Sequence, residues 1–288
     1  MSRSPDSIAI GQARSIIHRW GIQHPSEIML EEIAADLNAI VVERPNIGSV
    51  ARIISLGENA LITVDSQIRE VGRKRFAIAH ELGHFVLHRK RSPIEICTEA
   101  SFFQWYKNTT EEEEANSFAV ELLMPAELFI TLCGNKQPSL KEIARIAEEF
   151  QTSLSATAIR YIEYGKTPSA IIAANQGKIS WYAVHRSFPY RVKGKGSPLH
   201  EFSCANDYFA KGDAPTEAET VLGIAWLEDP DIGGKCYLFE EVIPLKAYDT
   251  TLSLIWIRQD DNSSDHSQFP PSHFDPDHFT PDGKRYRW

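Results

Sequence analysis

Cysteine is scarce in this chain: four among 288 residues, with no two in a C-x-x-C pair. Cys97, Cys133, Cys204 and Cys236 are too scattered for a zinc ribbon or a dithiol redox motif. They read as reduced, mostly buried thiols of a cytoplasmic protein. No apolar run approaches the roughly 20 residues that a membrane span needs. The N-terminal stretch MSRSPDSIAIGQARSIIHRWGI lacks the apolar core of a secretory signal. Positive charge is in deficit, 30 Lys and Arg against 39 Asp and Glu, for a net charge of −9 and a pI near 5.6. Nucleic acid and anionic membrane surfaces would repel such a chain, which excludes general binding to either. There is no internal repeat. What remains is an ordinary globular composition, 42% hydrophobic and 24% charged, with enough length for more than one compact unit.

Periodicity divides the chain. Residues 7–21 read as a helix with Ile8, Ala13, Ile16, Ile17 and Trp20 on one face. A second helix, 27–37, has Ser26 as its expected cap and Glu27 in its first turn. The β-branched runs AIVVER, VARIIS and ALITVD follow, separated by turn residues, and predict a three-stranded meander. Residues 72–90 return to helix, with Gly83 tolerated inside it. Residues 91–110 read as irregular, and the aromatic SFFQWYKN within them is a candidate cleft lining. Residues 110–124 form a helix that stops before Pro125. Two helices follow at 139–150 and 154–165, joined by a tight QTS link. From Ala170 the runs AIIAAN, KISWYAV, VLGIAWL, KCYLFEEVIPL and LSLIWI predict strands of a second domain. The last thirty residues, rich in Pro, Asp, Ser and His, predict an extended tail.

The chemistry concentrates in RKRFAIAHELGHFVLHRK, residues 73–90. His80 and His84 are four apart, so a helix carries both imidazoles on one face, about 6 Å apart at the backbone. Two such nitrogens can share one tetrahedral zinc. Glu81 sits beside that face, placed to take a proton from an activated water and return it to a leaving amine. The helix is apolar around these groups, and burying them without partners would cost several kcal/mol. His88 is a tempting further ligand, but about 12 Å of helix axis separates it from His80. It is expected to pack or support, and the third ligand must come from elsewhere.

The source is the next helix, EEEEANSFAVELLMP. Taking Ala115, Phe118, Ala119 and Leu122 as its buried stripe puts Glu111 and Glu114 on or beside that stripe and turns Glu112 and Glu113 away. On pattern alone Glu111 and Glu114 both remain open.

RFAIAHELGH followed about thirty residues later by EEEANSFAVELLMP resembles the ImmA/IrrE family of metallo-endopeptidases, over about residues 10–165. The resemblance implies His80, His84 and Glu114 as metal ligands and Glu81 as general base. The implied cofactor is Zn2+, with Mn2+ able to use the same ligands. It also implies an α+β fold. A gluzincin-like catalytic core (a small antiparallel sheet plus the H-E-x-x-H helix) is followed by a helix-turn-helix-like segment and a β-rich C-terminal domain. The expected domains are 1–135, 136–168, 169–258, with a regulatory or substrate-binding role, and the tail 259–288. The implied partner is a protein substrate, a helix-turn-helix repressor that controls a stress response or a mobile element. A DNA-binding or ligand-sensing transcriptional regulator with a structural metal site is the alternative.

The pair at 139–165 has helix-turn-helix size, yet Lys141, Arg145, Arg160 and Lys166 are offset by Glu142, Glu148, Glu149 and Glu163. That leaves no basic face for DNA, and direct DNA binding is not expected. Tyr161, Tyr182 and His185 are the candidates for stabilising an oxyanion. Arg73, Lys74 and Arg75 form a basic cluster read as a solvated turn. His266, His273 and His278 in the tail lack ligand spacing.

Overall fold

The computed structural model describes residues 5–45, 47–88, 94–97, 110–134 and 137–257. These fall into two compact units. One comprises the described residues up to Leu132 together with Arg145–Leu154. The other comprises Cys133–Ala144 and the segment from Ser155 onward. The expectations for SFFQWYKN and for the C-terminal tail with its histidines lie outside the described residues.

In the first unit, helix α1 (Pro5–Trp20) buries Ala9, Ala13, Ile16 and Ile17, while Ile8 turns to solvent at half exposure. The expected helix at 27–37 is two pieces. A 3-10 turn, Pro25–Glu27, precedes α2 (Leu30–Asp36). Ser26 therefore caps nothing. Glu27 does the capping instead, accepting from the backbone N–H of Gln23 at 2.7 Å and of His24 at 3.0 Å. Pro25 at the head of the turn fixes its φ and lacks the N–H that a cap would serve.

Strands β1 (Ala39–Arg44), β2 (Ala51–Leu56), β3 (Asn59–Asp65) and β4 (Ile94–Cys97) form one sheet in the order β1-β3-β2-β4. The expected all-antiparallel meander is not what forms. β2 and β3 make a hairpin around Gly57, but β1 pairs with β3 in parallel, Ala39 beside Ala60. Sequential neighbours need not pair. The connection after Arg44 is long enough to carry β2 past β3, and the parallel register sets Ala39, Ala60, Ile62, Val64, Ala51 and Ile53 into the core together.

Helix α3 (Val71–His88) packs on β2 and β3, and α4 (Thr110–Leu123) packs on both α3 and α1. Pro125 ends α4 as its φ and missing N–H require. Beyond it run α5 (Ala126–Cys133), α6 (Leu140–Phe150) and α7 (Leu154–Tyr164). The α6–α7 link turns at Gln151, whose φ of 54° is left-handed, and Thr152 N–H returns to Ala147 O.

The second unit holds a five-stranded antiparallel sheet, β6-β5-β9-β8-β7. Its strands are β5 (Ser169–Asn175), β6 (Lys178–Val184), β7 (Glu219–Leu222), β8 (Tyr237–Leu245) and β9 (Thr250–Ile257). Helix α8 (Cys204–Lys211) starts at Ser203, whose hydroxyl accepts from Asn206 N–H, and ends at left-handed Gly212. An acidic side chain sits in this core. Glu240 is fully buried and accepts from Trp226 Nε1 at 2.8 Å, Cys204 and Ala205 N–H at 3.0 Å each, and Ser253 Oγ at 3.2 Å. Burial pushes its carboxyl upward, against the pull of those four donors. The side chain ties β8 to β9, to α8 and to the buried indole at once.

Removing the carboxylate strands several buried donors, each costing about 1–3 kcal/mol. Glu240→Ala is therefore expected to lower the urea midpoint of unfolding substantially. Glu240→Gln keeps an acceptor and is expected to cost less. Equal midpoints for the two variants would contradict the donor cluster as the cause.

Candidate metal centre

Helix α3 forms because residues 76–88 repeat apolar side chains at helical spacing and contain no proline. Ala77, Ile78, Ala79, Leu82 and Phe85 are buried against the sheet and α4, and the same turns bring His80, Glu81, His84 and His88 inside with them. Gly83 sets how close α4 comes. A Cβ built on it would stand 3.1 Å from Ala115 Cα, 3.1 Å from Ala115 O and 3.1 Å from Phe118 Cδ1. Gly83 is thus more than tolerated, since the helices approach over its bare backbone.

Across that approach the side chains meet. His80 Nε2 and His84 Nε2 lie 3.0 Å apart, with the rings edge to face. The Glu112 carboxylate reaches both, Oε2 at 3.4 Å from His80 Nε2 and Oε1 at 3.4 Å from His84 Nε2. On the far side of its ring, His80 Nδ1 bonds to Asn116 Oδ1 at 2.9 Å. That contact makes Nδ1 the protonated nitrogen and leaves the Nε2 lone pair for the centre. Both histidines are almost wholly buried. Burial pushes the His80 imidazole below its usual range, toward the neutral form that binds metal, and outweighs the upward pull of Glu112 and Asn116. Burial pushes Glu112 up, but its hydrogen bonds and charge interactions with the two histidines win, and its carboxyl is held well below the ordinary carboxylate range.

The donor set fits a divalent metal. Two imidazole nitrogens and one carboxylate oxygen lie within 4.8 Å of one another. Two Nε2 lone pairs at 3.0 Å repel each other unless a proton or a metal stands between them. In a tetrahedral site with N–metal distances of about 2.0–2.1 Å, the nitrogens stand about 3.3 Å apart, close to the spacing seen.

Glu114 is not in this cluster. Its carboxylate points to His88, with Oε2 at 3.3 Å from Nε2. The carboxylate beside the histidines is Glu112, which the periodicity argument had turned outward. The physical reason is that α4 is buried all round. Every residue from Ala115 to Leu123 is buried, because α1 covers one side and α3 the other. Glu121 shows the α1 side, accepting from Arg14 Nε at 2.8 Å. An apolar stripe on such a helix does not say which face meets α3. The signal that could have decided it is Asn116, a polar residue in an apolar run and one turn from Glu112 on the same side. Glu111 does not join the group either.

Glu81 follows His80 directly, with its carboxylate fully sealed from solvent. The three oxyanion candidates belong to the second unit and are engaged locally. Tyr161 is buried, which pushes its hydroxyl up to about 12. Ser187 N–H donates to His185 Nδ1 at 3.1 Å, and Tyr182 lies on β6. Of the basic cluster, Lys74 pairs with Glu43 at 2.9 Å and Arg75 donates to Ile28 O at 3.0 Å. It is therefore partly built into the fold. Cys133, Cys204 and Cys236 are free thiols. No single helix among the described residues is long and apolar enough to cross a membrane.

Residues 49–161 match the family model described as the IrrE N-terminal-like domain, peptidase family M78. The chain carries an IrrE N-terminal-like domain. The matched span holds β2, β3, α3 and α4, hence both histidines and Glu112. No curated protein matches the chain by sequence. Among solved structures, a Mycobacterium tuberculosis transcriptional regulator is similar, at 14% identity and a TM-score of 0.53. The match covers 87% of this chain and 76% of that one. At that identity the likeness concerns the fold alone.

A branched side chain at Gly83 would force the IrrE-like domain's two site helices apart. Gly83→Val is expected to destabilise the chain by about 1–3 kcal/mol, read as a lower melting temperature. A melting temperature at or above wild type would show that the helices are not held at this spacing.

Proposed function

We propose that the chain is a metal-dependent endopeptidase. The observation that carries this reading is the convergence of His80 Nε2, His84 Nε2 and the Glu112 carboxylate beside the buried acid Glu81. His80, His84 and Glu112 hold the metal, with Glu112 in the place that the family resemblance gives to Glu114. Zinc suits two nitrogens and a carboxylate best, and manganese can use the same donors. When bound, the metal supplies Lewis-acid polarisation of the peptide carbonyl and acidifies water. The rest is done by the chain. Asn116 holds His80 in the tautomer that offers Nε2. The Glu81 carboxylate takes the proton from the attacking water and delivers it to the leaving nitrogen. The apolar packing of α3 and α4 around these groups keeps bulk water out and strengthens each charge interaction.

The substrate is a protein, a helix-turn-helix repressor of a stress response or mobile element in keeping with the family resemblance, and the site of action is the cytoplasm. The C-terminal sheet unit serves regulation or substrate capture. A second reading takes support from the structural neighbour's description as a transcriptional regulator. In that reading the chain is itself a regulator with a structural metal site. Glu81 speaks against it, since a structural site has no use for a buried acid beside its ligands. Direct DNA reading by α6 and α7 is disfavoured too. Arg145 is paired with Glu149. Arg160 is buried, sits 3.0 Å from Glu163 and lies over the Tyr164 ring.

Metal content by mass spectrometry on the full chain tests the reading. Near one equivalent is expected in wild type and in Glu81→Gln, and little in Glu112→Ala. Cleavage is read as new peptide termini after incubation with purified repressors. It is expected to fall by at least about 100-fold in Glu81→Gln. Full cleavage by Glu81→Gln, or full metal retention by Glu112→Ala, would refute the assignment.

A further inference from the structure

His88 and Glu114 play no part in the mechanism above, yet they form a contact of their own next to it. Nε2 and Oε2 are 3.3 Å apart, and the His88 ring packs 5.7 Å from that of His84. We infer that this pair is a positioning contact: it sets the rotation of α4 about its axis, so that Glu112, and none of its three glutamate neighbours, is presented to His80 and His84.

Four consecutive glutamates open α4, Glu111 to Glu113 in its first turn and Glu114 directly after it. The first turn is where a helix holds itself least, because its N–H groups lack intrahelical partners and its end frays. Glu112 must nevertheless meet two nitrogens at once, within a few tenths of an ångström. The buried run from Ala115 onward does not supply that accuracy by itself. That run anchors the body of the helix and leaves its first turn to be placed by local contacts.

Two polar contacts do supply it. His80 holds Asn116, one turn inside Glu112 and about 40° from it around the axis. His88 holds Glu114, which leaves the helix about 160° from Glu112 in the other sense, at 100° per residue. A rotation that moves Glu112 off the histidines must stretch one contact or the other. The three histidines of α3, four residues apart, thus each have a partner on α4. His80 takes Asn116 and Glu112, His84 takes Glu112, and His88 takes Glu114. His88 is almost fully buried, while Glu114 keeps about a fifth of its side chain exposed, so the glutamate can be changed with little damage to the core.

The inference rests on the reading that His80, His84 and Glu112 hold a metal, and the test separates the two. Cobalt(II) is added to metal-free full chain. Affinity is read by competition with a chromophoric chelator, and geometry from the visible absorption bands. Glu114→Ala is expected to weaken cobalt binding by about 10–100-fold and to alter the bands. Glu114→Gln, which keeps an oxygen of the same reach facing His88 Nε2, is expected to restore most of the affinity. Glu113→Ala, at an exposed position, is expected to match wild type. His88→Asn should follow Glu114→Ala in direction. If Glu114→Ala keeps wild-type affinity and spectrum, the pair positions nothing and the inference falls. It falls equally if Glu114→Ala abolishes binding as completely as Glu112→Ala does, because Glu114 would then be a ligand. Two cobalt equivalents in wild type and one in Glu114→Ala would also overturn it, by making the pair a second site. A wild-type chain that binds no cobalt refutes the metal reading itself.

Discussion

The first unit depends on one close approach, that of α3 and α4 over Gly83. There the backbone of α4 comes within van der Waals reach of a residue with no side chain. This brings His80, His84, Glu112 and Asn116 into a single cluster inside an apolar shell. A larger residue at that point would separate the helices, and the cluster would open to water. The sheet beneath α3 and the helix α1 behind α4 press the two together. Each buries apolar surface at about 25 cal/mol per Å2.

Such a cluster carries a high cost in an apolar interior unless its groups satisfy one another. Here they do so only in part. Asn116 fixes the outer nitrogen of His80 and burial pushes that ring toward its neutral form, which leaves the inner nitrogens facing the Glu112 carboxylate. The second unit solves a similar problem differently. Glu240 is sealed in its core by four donors, two on α8, one on β9 and the Trp226 indole, and acts as a rivet. One buried carboxylate gathers the fold. The other faces two nitrogens whose lone pairs converge, an arrangement that asks for a cation.

Much of the site was legible from the residues. The four-residue spacing of His80 and His84, with Glu81 between them, sits on a helix whose apolar neighbours oblige it to be buried, and the structure places all three inside. Pro125 stopped the next helix where expected. Helix rise alone set His88 well away from His80 along the axis, and His88 does turn to a different partner. Strand pairing was not legible. Three β-branched runs in a row read as a meander, but the backbone groups of β1 are satisfied as well by β3 as by β2, and burial on the sheet decides between them.

The sequence alone determined which helix carries the histidine pair and which types of residue meet around it, because periodicity and spacing along one helix are local properties. It could not determine which glutamate of four completes the cluster. That choice depends on the rotation of α4 between two neighbours, α1 and α3. A helix buried on every side has no apolar stripe from which to read its orientation. Only the packing of Ala115 on Gly83, together with the contacts of Asn116 and Glu114 to two histidines, turns Glu112 inward.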